Sequence, residues 1–178
     1  DRILCFSYNK RDKKLEDHDI AAHVKPGSGP RHLVFSPNGR YAYLMNELSG
    51  KVIVYSYSDG KLKELQSIAA DNANARGGAD IHVSPDGMFV YASTRLKGDG
   101  ITIFRVGNKG TLTHVGAQLT GKHPRNFAIT PNGNFLLVAC RDDNSIQVYS
   151  RDKDTGLLKN THQDIVLSHP VCVKFYPE

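Results

Sequence analysis

Three polar side chains stand at the two ends of one short stretch of the sequence, GPRHLVFSPNGRYAYLMNEL (residues 29–48). Arg31 and His32 precede an apolar run, and Glu47 follows a second apolar run. A carboxylate and an imidazole can transfer protons, and a guanidinium can bind an anion or stabilise developing negative charge. Whether these groups form one site or are separate surface residues depends on how the two runs fold.

The turn inside this stretch recurs along the chain. SPNG at residues 36–39 is followed by SPDG at residues 84–87 and TPNG at residues 130–133, and Pro177 continues the spacing. After each turn come a strand-like run, a polar loop, a β-branched run and a second turn with Gly and Leu. The alternation of apolar and polar residues predicts short strands rather than helices. Four short strands repeated every ~40–50 residues are typical of a β-propeller blade.

The repeat predicts an all-β chain that holds about four blades' worth of a β-propeller. The expected units are residues 1–29 as half a blade, 30–78, 79–124 and 125–170 as full blades, and 171–178 as the first strand of a further blade. A closed four-bladed ring would lack a second strand in the blade formed by its two ends. We therefore expect a larger ring, closed by a remaining propeller half or another chain, and the first residue, Asp1, indicates that the native N-terminus is absent.

Propeller geometry sorts side chains by face. Residues just before the first strand of a blade and just after its second strand share one face, whereas the SPNG-type turns lie on the other. That face is expected to gather Arg31, His32, Asn46, Glu47, Asp80, Thr94, Arg95, Arg125, Asn126, Arg141 and Asp142. The position five before each turn proline changes from blade to blade (His32, Asp80, Asn126, Cys172), while the apolar positions around it repeat. Polar residues at these variable positions are candidates for ligand contact.

Structural interpretations compete with functional ones for several of these residues. His82, in the middle of a predicted strand, is expected to be structural, and Asp80 fits either role equally. Arg31 and Glu47 could form a plain interblade salt bridge. Asp142 and Asp143 are expected to cap a loop.

Composition narrows the class of protein. The chain has 178 residues, 39% of them hydrophobic, and a formal charge of +5 with scattered Lys and Arg, which favours an anionic small substrate or a solvated surface over nucleic acid. No apolar run is long enough to span a membrane. Three cysteines (Cys5, Cys140, Cys172) without a CxxC motif read as reduced packing residues, which fits the cytoplasm. Histidine spacing predicts no metal site, and no cofactor motif occurs.

Four stretches together resemble a known family: GPRHLVFSPNGRYAYLMNEL, GGADIHVSPDGMFVYAST, HPRNFAITPNGNFLLVAC and HPVCVKF. They are similar to the lactonase family of seven-bladed propellers, which includes bacterial 6-phosphogluconolactonases and fungal 3-carboxy-cis,cis-muconate lactonizing enzymes. The resemblance implies a ring about twice this length, with arginines, a glutamate and a histidine at the channel mouth. The family's glutamate falls on Glu47, its arginines on Arg31 and on Arg125 or Arg95, and its histidine lies upstream of this chain.

The resemblance implies a lactone hydrolase acting on an anionic sugar lactone. Glu47 and Arg31 are then the expected catalytic residues, with Glu47 as general base and Arg31 holding the carboxylate or the oxyanion. The expected substrate-binding residues are His32, Arg95, Arg125, Asn126 and Asp80, and no cofactor is expected. Two alternatives stay open: a muconate cycloisomerase that uses the same arginines, and a non-catalytic propeller that binds a partner on this face.

Overall fold

The computed structural model describes residues 1–71 and 76–176 of the chain, and its described residues form antiparallel sheets with one 3₁₀ turn at Arg141–Asp143. This confirms the all-β propeller fold predicted from the repeat. The strands are β1 (Arg2–Asn9), β2 (Lys14–His23), β3 (Pro30–Phe35), β4 (Tyr41–Asn46), β5 (Lys51–Ser58), β6 (Lys61–Ala69), β7 (Gly78–Val83), β8 (Phe89–Thr94), β9 (Gly100–Val106), β10 (Leu112–Leu119), β11 (Pro124–Ile129), β12 (Phe135–Cys140), β13 (Ser145–Arg151), β14 (Leu158–Asn160) and β15 (Ile165–Val166).

Each sheet is one unit of the propeller. The half blade is β1 paired with β2, the first blade is β3 to β6, and the second blade is β7 to β10, each a simple meander. The third blade is β11 to β15, in which two short strands, β14 and β15, both pair with β13 at its outer edge. The innermost strand β7 lies between β3 and β11, so the starts of the three strands line the same side of the propeller's central channel.

The repeated turns are held by one hydrogen-bonding pattern. The hydroxyl oxygen of Ser36, Ser84 or Thr130 accepts the backbone N–H five residues later, at 3.0 Å in all three turns. The glycine of each turn has a positive φ, between 69° and 72°, which costs glycine no strain. This is the physical reason why Ser/Thr-Pro-Asn/Asp-Gly recurs at one place in each blade.

The cores lie between neighbouring blades. Tyr43 and Val54 of the first blade pack with Ile81 and Phe104 of the second, and all four side chains are almost completely buried. A second cluster joins the second and third blades through residues such as Phe89, Tyr91, Phe127, Leu136 and Tyr149. The apolar alternation seen in the sequence therefore reflects burial between sheets.

The segment after the third blade differs from the prediction. Residues 171–178 were expected to form the first strand of a further blade, but residues 170–176 carry no strand, because none of the described residues offers a second strand with which they could pair. The backbone N–H of Val173 nevertheless donates to Asn126 Oδ1 at 2.7 Å. Cys172 is exposed, which contradicts its predicted packing role, whereas Cys140 is buried. Pro177 lies outside the described residues.

Replacing Gly156 with Ala is expected to lower the free energy of unfolding of the full-length protein by roughly 2–4 kcal/mol. Gly156 has a φ of +76°, and an added Cβ would overlap the buried ring of Phe89 in the neighbouring blade. Urea denaturation measures the change. The matched control is Gly39→Ala, at a φ of +69° with nothing within 4 Å of the added Cβ, which should lose only the smaller, conformational part. Equal losses at the two positions would show that the contact with Phe89 contributes nothing.

Candidate active site

Glu47 lies between two arginines from two blades. Arg31, at the start of β3, places Nη1 3.2 Å from Glu47 Oε2, and Arg95, directly after β8, places Nη2 2.6 Å from Glu47 Oε1. The antiparallel pairing of Pro30 with Asn46 brings Arg31 and Glu47 to the same end of the first blade. The prediction that the two ends of the opening stretch meet on one face is confirmed, and Arg95 joins them from the second blade.

The contacts continue into the third blade through His123. Arg95 Nη1 lies 3.2 Å from His123 Nε2, and His123 Nδ1 lies 3.3 Å from Asp142 Oδ2. The sequence interpretation did not single out His123. Its position directly before Pro124, where the first blade has Gly29 before Pro30, was the available signal.

The two aspartates predicted to cap a loop differ in role. Asp143 Oδ2 accepts the backbone N–H of Lys122 at 2.6 Å, as a loop cap does. Asp142 instead pairs with Arg141, whose Nε lies 2.7 Å from its Oδ1, and with His123. Arg31, Glu47, Arg95, His123 and Asp142 therefore form one charge network that crosses three blades.

The protonation of this network follows from its neighbours. Burial opposes ionisation of Glu47, but the hydrogen bond from Arg95 and the charges of Arg31 and Arg95 outweigh it, so the pKa of Glu47 is lowered. Burial and the nearby charges of Arg141 and Arg95 lower the pKa of His123. A guanidinium can only donate, so His123 Nε2 accepts from Arg95 while Nδ1–H donates to Asp142. Glu47 is therefore a firmly ionised carboxylate and a weak base.

A second set of contacts links the variable positions before the turn prolines. His32 Nδ1 lies 2.7 Å from Asp80 Oδ1, and Asn126 donates its amide to Asp80 Oδ2. Asp80 also accepts the backbone N–H of Phe127 at 3.2 Å, and Asn126 accepts that of Val173. We call His32, Asp80 and Asn126 the channel relay, since each contacts the innermost segment of the next blade.

Asp80 is the centre of the channel relay. Its side chain is only 5% exposed. Burial opposes its ionisation, yet hydrogen bonds from His32 and His82 hold the pKa of Asp80 far below its usual value. His82 Nε2 lies 3.1 Å from Asp80 Oδ2, and its ring packs edge-on against Phe127 with centroids 4.8 Å apart. These contacts support the structural interpretation of His82.

A cavity of about 620 Å³ opens beside the channel relay. Its polar lining consists of Arg31, His32, Asp80, His82, Arg125, Asn126 and Lys174. Arg125 forms no hydrogen bond or ion pair with any residue in the two described ranges, so its guanidinium is available to an anion. Asn46 and Thr94, also expected on this face, are instead buried at the ends of β4 and β8.

Among residues 1–71 and 76–176, no group of three or more His, Cys, Asp or Glu side chains is placed to hold a metal ion. In the same residues, no helix is long and apolar enough to cross a bilayer.

A comparison with models of protein families shows to which family this chain belongs. A family model described as a lactonase with a seven-bladed β-propeller matches residues 1–175. The chain belongs to the seven-bladed β-propeller lactonase family. It spans about half the length of the curated relatives it matches.

Relatives in the lactonase family are similar along most of this chain. A 6-phosphogluconolactonase of Formosa agariphila is 48% identical over 153 residues, which cover 83% of this chain and 43% of the relative. A crystal structure of a candidate 6-phosphogluconolactonase from Bacteroides uniformis superposes with a TM-score of 0.93 at 57% identity and covers 99% of this chain and 52% of the relative. The periplasmic gluconolactonase of Pseudomonas aeruginosa superposes with a TM-score of 0.89 at 32% identity, covering 99% and 51% of the two chains.

The residues that the lactonase resemblance pointed to fall into two places. Arg31 and Arg95 both contact Glu47 in the charge network, and Arg125 lines the cavity beside Asn126 on the third blade. The resemblance left open whether the family's further arginine falls on Arg95 or on Arg125. In the structure Arg95 is held by Glu47, whereas Arg125 lines the cavity. Their roles in substrate binding and catalysis stay predictions.

Proposed function

We propose that the protein to which this chain belongs hydrolyses an anionic sugar lactone, with 6-phosphogluconolactone as the leading substrate. The observation that carries the proposal is the cationic cavity: Arg31 faces it from one blade, and Arg125, which pairs with none of the described residues, faces it from another. The names of the relatives favour lactone hydrolysis over the cycloisomerase and binding-module alternatives. Because the chain spans about half of its relatives, completion of the ring by the remaining propeller half is part of the proposal.

Each arginine has a distinct place in the proposed reaction. Arg125 would bind the phosphate or carboxylate of the substrate in bidentate fashion. Arg31, whose Nε is held by the carbonyl oxygen of Ala79 at 2.9 Å, would stabilise the oxyanion of the tetrahedral intermediate. Glu47 would hold Arg31 and Arg95 in place. His32 and Asn126 would contact the polar edges of the sugar.

The proposed location is the cytoplasm. Cys5, Cys140 and Cys172 are all free thiols, which suits a reducing compartment. Periplasmic relatives exist, as the Pseudomonas aeruginosa protein shows. Thiol titration of the protein taken directly from cells would test the proposal, because oxidised cysteines would contradict it.

Hydrolysis assays on the full-length protein test the proposed function. We expect 6-phosphogluconolactone to be opened with a kcat/KM at least about tenfold above that for unphosphorylated gluconolactone, because a charge-assisted contact adds roughly one factor of ten or more. Carboxymuconate should not cyclise. Inability to hydrolyse either lactone would overturn the proposal, and cyclisation of carboxymuconate would replace it with the cycloisomerase alternative.

Arg125→Ala is expected to remove most of the preference for the phosphorylated lactone by raising its KM about tenfold, while the unphosphorylated lactone is hydrolysed as before. The matched control is Arg40→Ala, directly after the SPNG turn on the opposite face, where the side chain is exposed. Initial rates with both lactones measure the effect. An unchanged preference in Arg125→Ala would place the anion-binding group elsewhere.

A further inference from the structure

The proposed reaction needs a group that takes a proton from water, and Glu47 is poorly suited to that task. Its carboxylate is engaged by two arginines, at 3.2 and 2.6 Å, and the lowered pKa makes it a weak base. General-base catalysis works best with a group that titrates nearer to neutral pH. A neutral imidazole ordinarily meets that requirement.

We propose that His32 is the general base of the lactonase reaction and that Asp80 is its positioning residue. The inference rests on the proposed function. His32 and Asp80 come from neighbouring innermost strands, β3 and β7, and their side chains meet at 2.7 Å where the cavity opens. A carboxylate that holds one nitrogen of an imidazole leaves the other nitrogen for chemistry.

The hydrogen bond fixes the tautomer of the ring. An ionised carboxylate can only accept hydrogen bonds, so His32 Nδ1 must carry the proton and donate it to Asp80 Oδ1. The buried carboxylate stays ionised because four other donors also point at it, from His82, Asn126 and the backbone of Ile81 and Phe127. Nε2 of neutral His32 then has its lone pair, and it makes no hydrogen bond within the described residues.

The position of His32 separates it from His82, the other imidazole on Asp80. The side chain of His32 is 42% exposed and that of His82 is 27% exposed. His82 lies further along its strand, two residues beyond Asp80, and packs its ring against Phe127. His32 directly follows Arg31, the proposed oxyanion group, so base and oxyanion stabiliser belong to the same strand end. This adjacency favours His32.

The proposed step balances without a further reactant. His32 Nε2 takes a proton from water as the water oxygen bonds to the lactone carbonyl carbon, and the carbonyl oxygen becomes the oxyanion facing Arg31. Collapse of the intermediate breaks the bond between the carbonyl carbon and the ring oxygen. The imidazolium returns its proton to that oxygen, which becomes the free hydroxyl of the hydroxy acid.

His32→Asn in the full-length protein is the direct test. The Asn amide can still donate to Asp80, so the channel relay is retained while the base is lost. We expect kcat for 6-phosphogluconolactone to fall at least about 100-fold with KM changed less than about threefold. His114→Asn, on the exposed face of β10, is the matched control and should leave kcat unchanged. A kcat within a few-fold of the unmodified protein in His32→Asn would overturn the assignment.

Asp80→Asn tests the positioning role through a readout that stability alone does not move. Nitrogen NMR of the imidazoles should show His32 protonated at Nδ1 in the unmodified protein and a shift toward the Nε2-protonated form in Asp80→Asn, together with a loss in kcat of at least about 100-fold. An unshifted tautomer would overturn the positioning role. A loss in His82→Asn as large as that in His32→Asn would assign the base to His82 instead.

The outcomes separate this inference from the proposed function. If the unmodified protein hydrolyses the lactone but His32→Asn does so equally well, the inference fails and the proposed function stands. If the unmodified protein hydrolyses no lactone, both fail.

Discussion

Glu47→Gln is expected to lower kcat/KM of the full-length protein for 6-phosphogluconolactone by about 100-fold, the scale of misplacing one oxyanion-stabilising group. Glutamine is neutral and presents one oxygen, so it cannot satisfy both Arg31 and Arg95. The side chain of Arg95 is only 6% exposed, so it would be left with a poorly compensated charge. Arg31 would then move toward whichever carbonyl or solvent group accepts it. The loss should fall mainly on kcat, because the misplaced guanidinium acts on the transition state.

The matched control is Glu64→Gln on β6, an exposed outer strand of the same blade. It removes the same charge away from the channel mouth and should leave both kinetic constants unchanged. If Glu47→Gln retained its kcat, the charge network would be an interblade salt bridge only, and the plain structural alternative would hold. Steady-state kinetics at neutral pH separate the two results.

Asp86→Asn is expected to lower the free energy of unfolding by about 3 kcal/mol, the cost of leaving a buried charge without its partner. Arg151 has no exposed side-chain surface, and its Nη2 lies 2.6 Å from Asp86 Oδ2 across the interface of the second and third blades. Asparagine already stands at the equivalent turn positions, Asn38 and Asn132, where its oxygen accepts the turn hydroxyl. The turn should therefore survive, and the amide nitrogen would face the guanidinium donor to donor.

Arg151→Met gives the contrasting result for the same pair. It leaves Asp86, which is 30% exposed and still accepts from the hydroxyl of Ser84 at 2.5 Å and the backbone N–H of Met88 at 2.9 Å. Water and these donors can compensate that carboxylate, so the loss should be smaller than in Asp86→Asn. Denaturant unfolding of both variants measures the difference. Equal losses of unfolding free energy in the two variants would show that an uncompensated Arg151 guanidinium is not the cause of the destabilisation in Asp86→Asn.

Most of the fold could be predicted from the sequence repeat. Turn prolines, β-branched runs and alternating apolar residues were enough to locate the strands of three blades, because each blade obeys the same local chemistry. The same register placed Arg31 and Glu47 on one face, since residues that flank a hairpin must end up side by side. It also identified the variable positions that became the channel relay.

The side-chain contacts between blades could not be predicted from the repeat. The repeat does not specify that Arg95, which follows the second strand of its blade, reaches back to Glu47 of the preceding blade. Nor does it specify that Arg125, which occupies the same place in its first strand as Arg31, makes no ion pair with any described residue. His123 joins the charge network because the long side chain of Arg95 reaches it across the interface between the second and third blades. The segment at residues 170–176 had strand-like composition, yet composition cannot supply the neighbouring strand that a ladder requires.

The channel relay has a consequence for the symmetry of the propeller. His32, Asp80 and Asn126 occupy one repeat position, yet the contacts of Asp80 require an imidazole on one side and an amide on the other. No single residue type supplies a carboxylate and an imidazole together. A propeller built from identical copies of one blade would keep the turns and the apolar cores but would lose this dyad. The contact between His32 and Asp80 therefore requires that duplicated blades differ at this position. A propeller designed from one consensus blade would lack that contact.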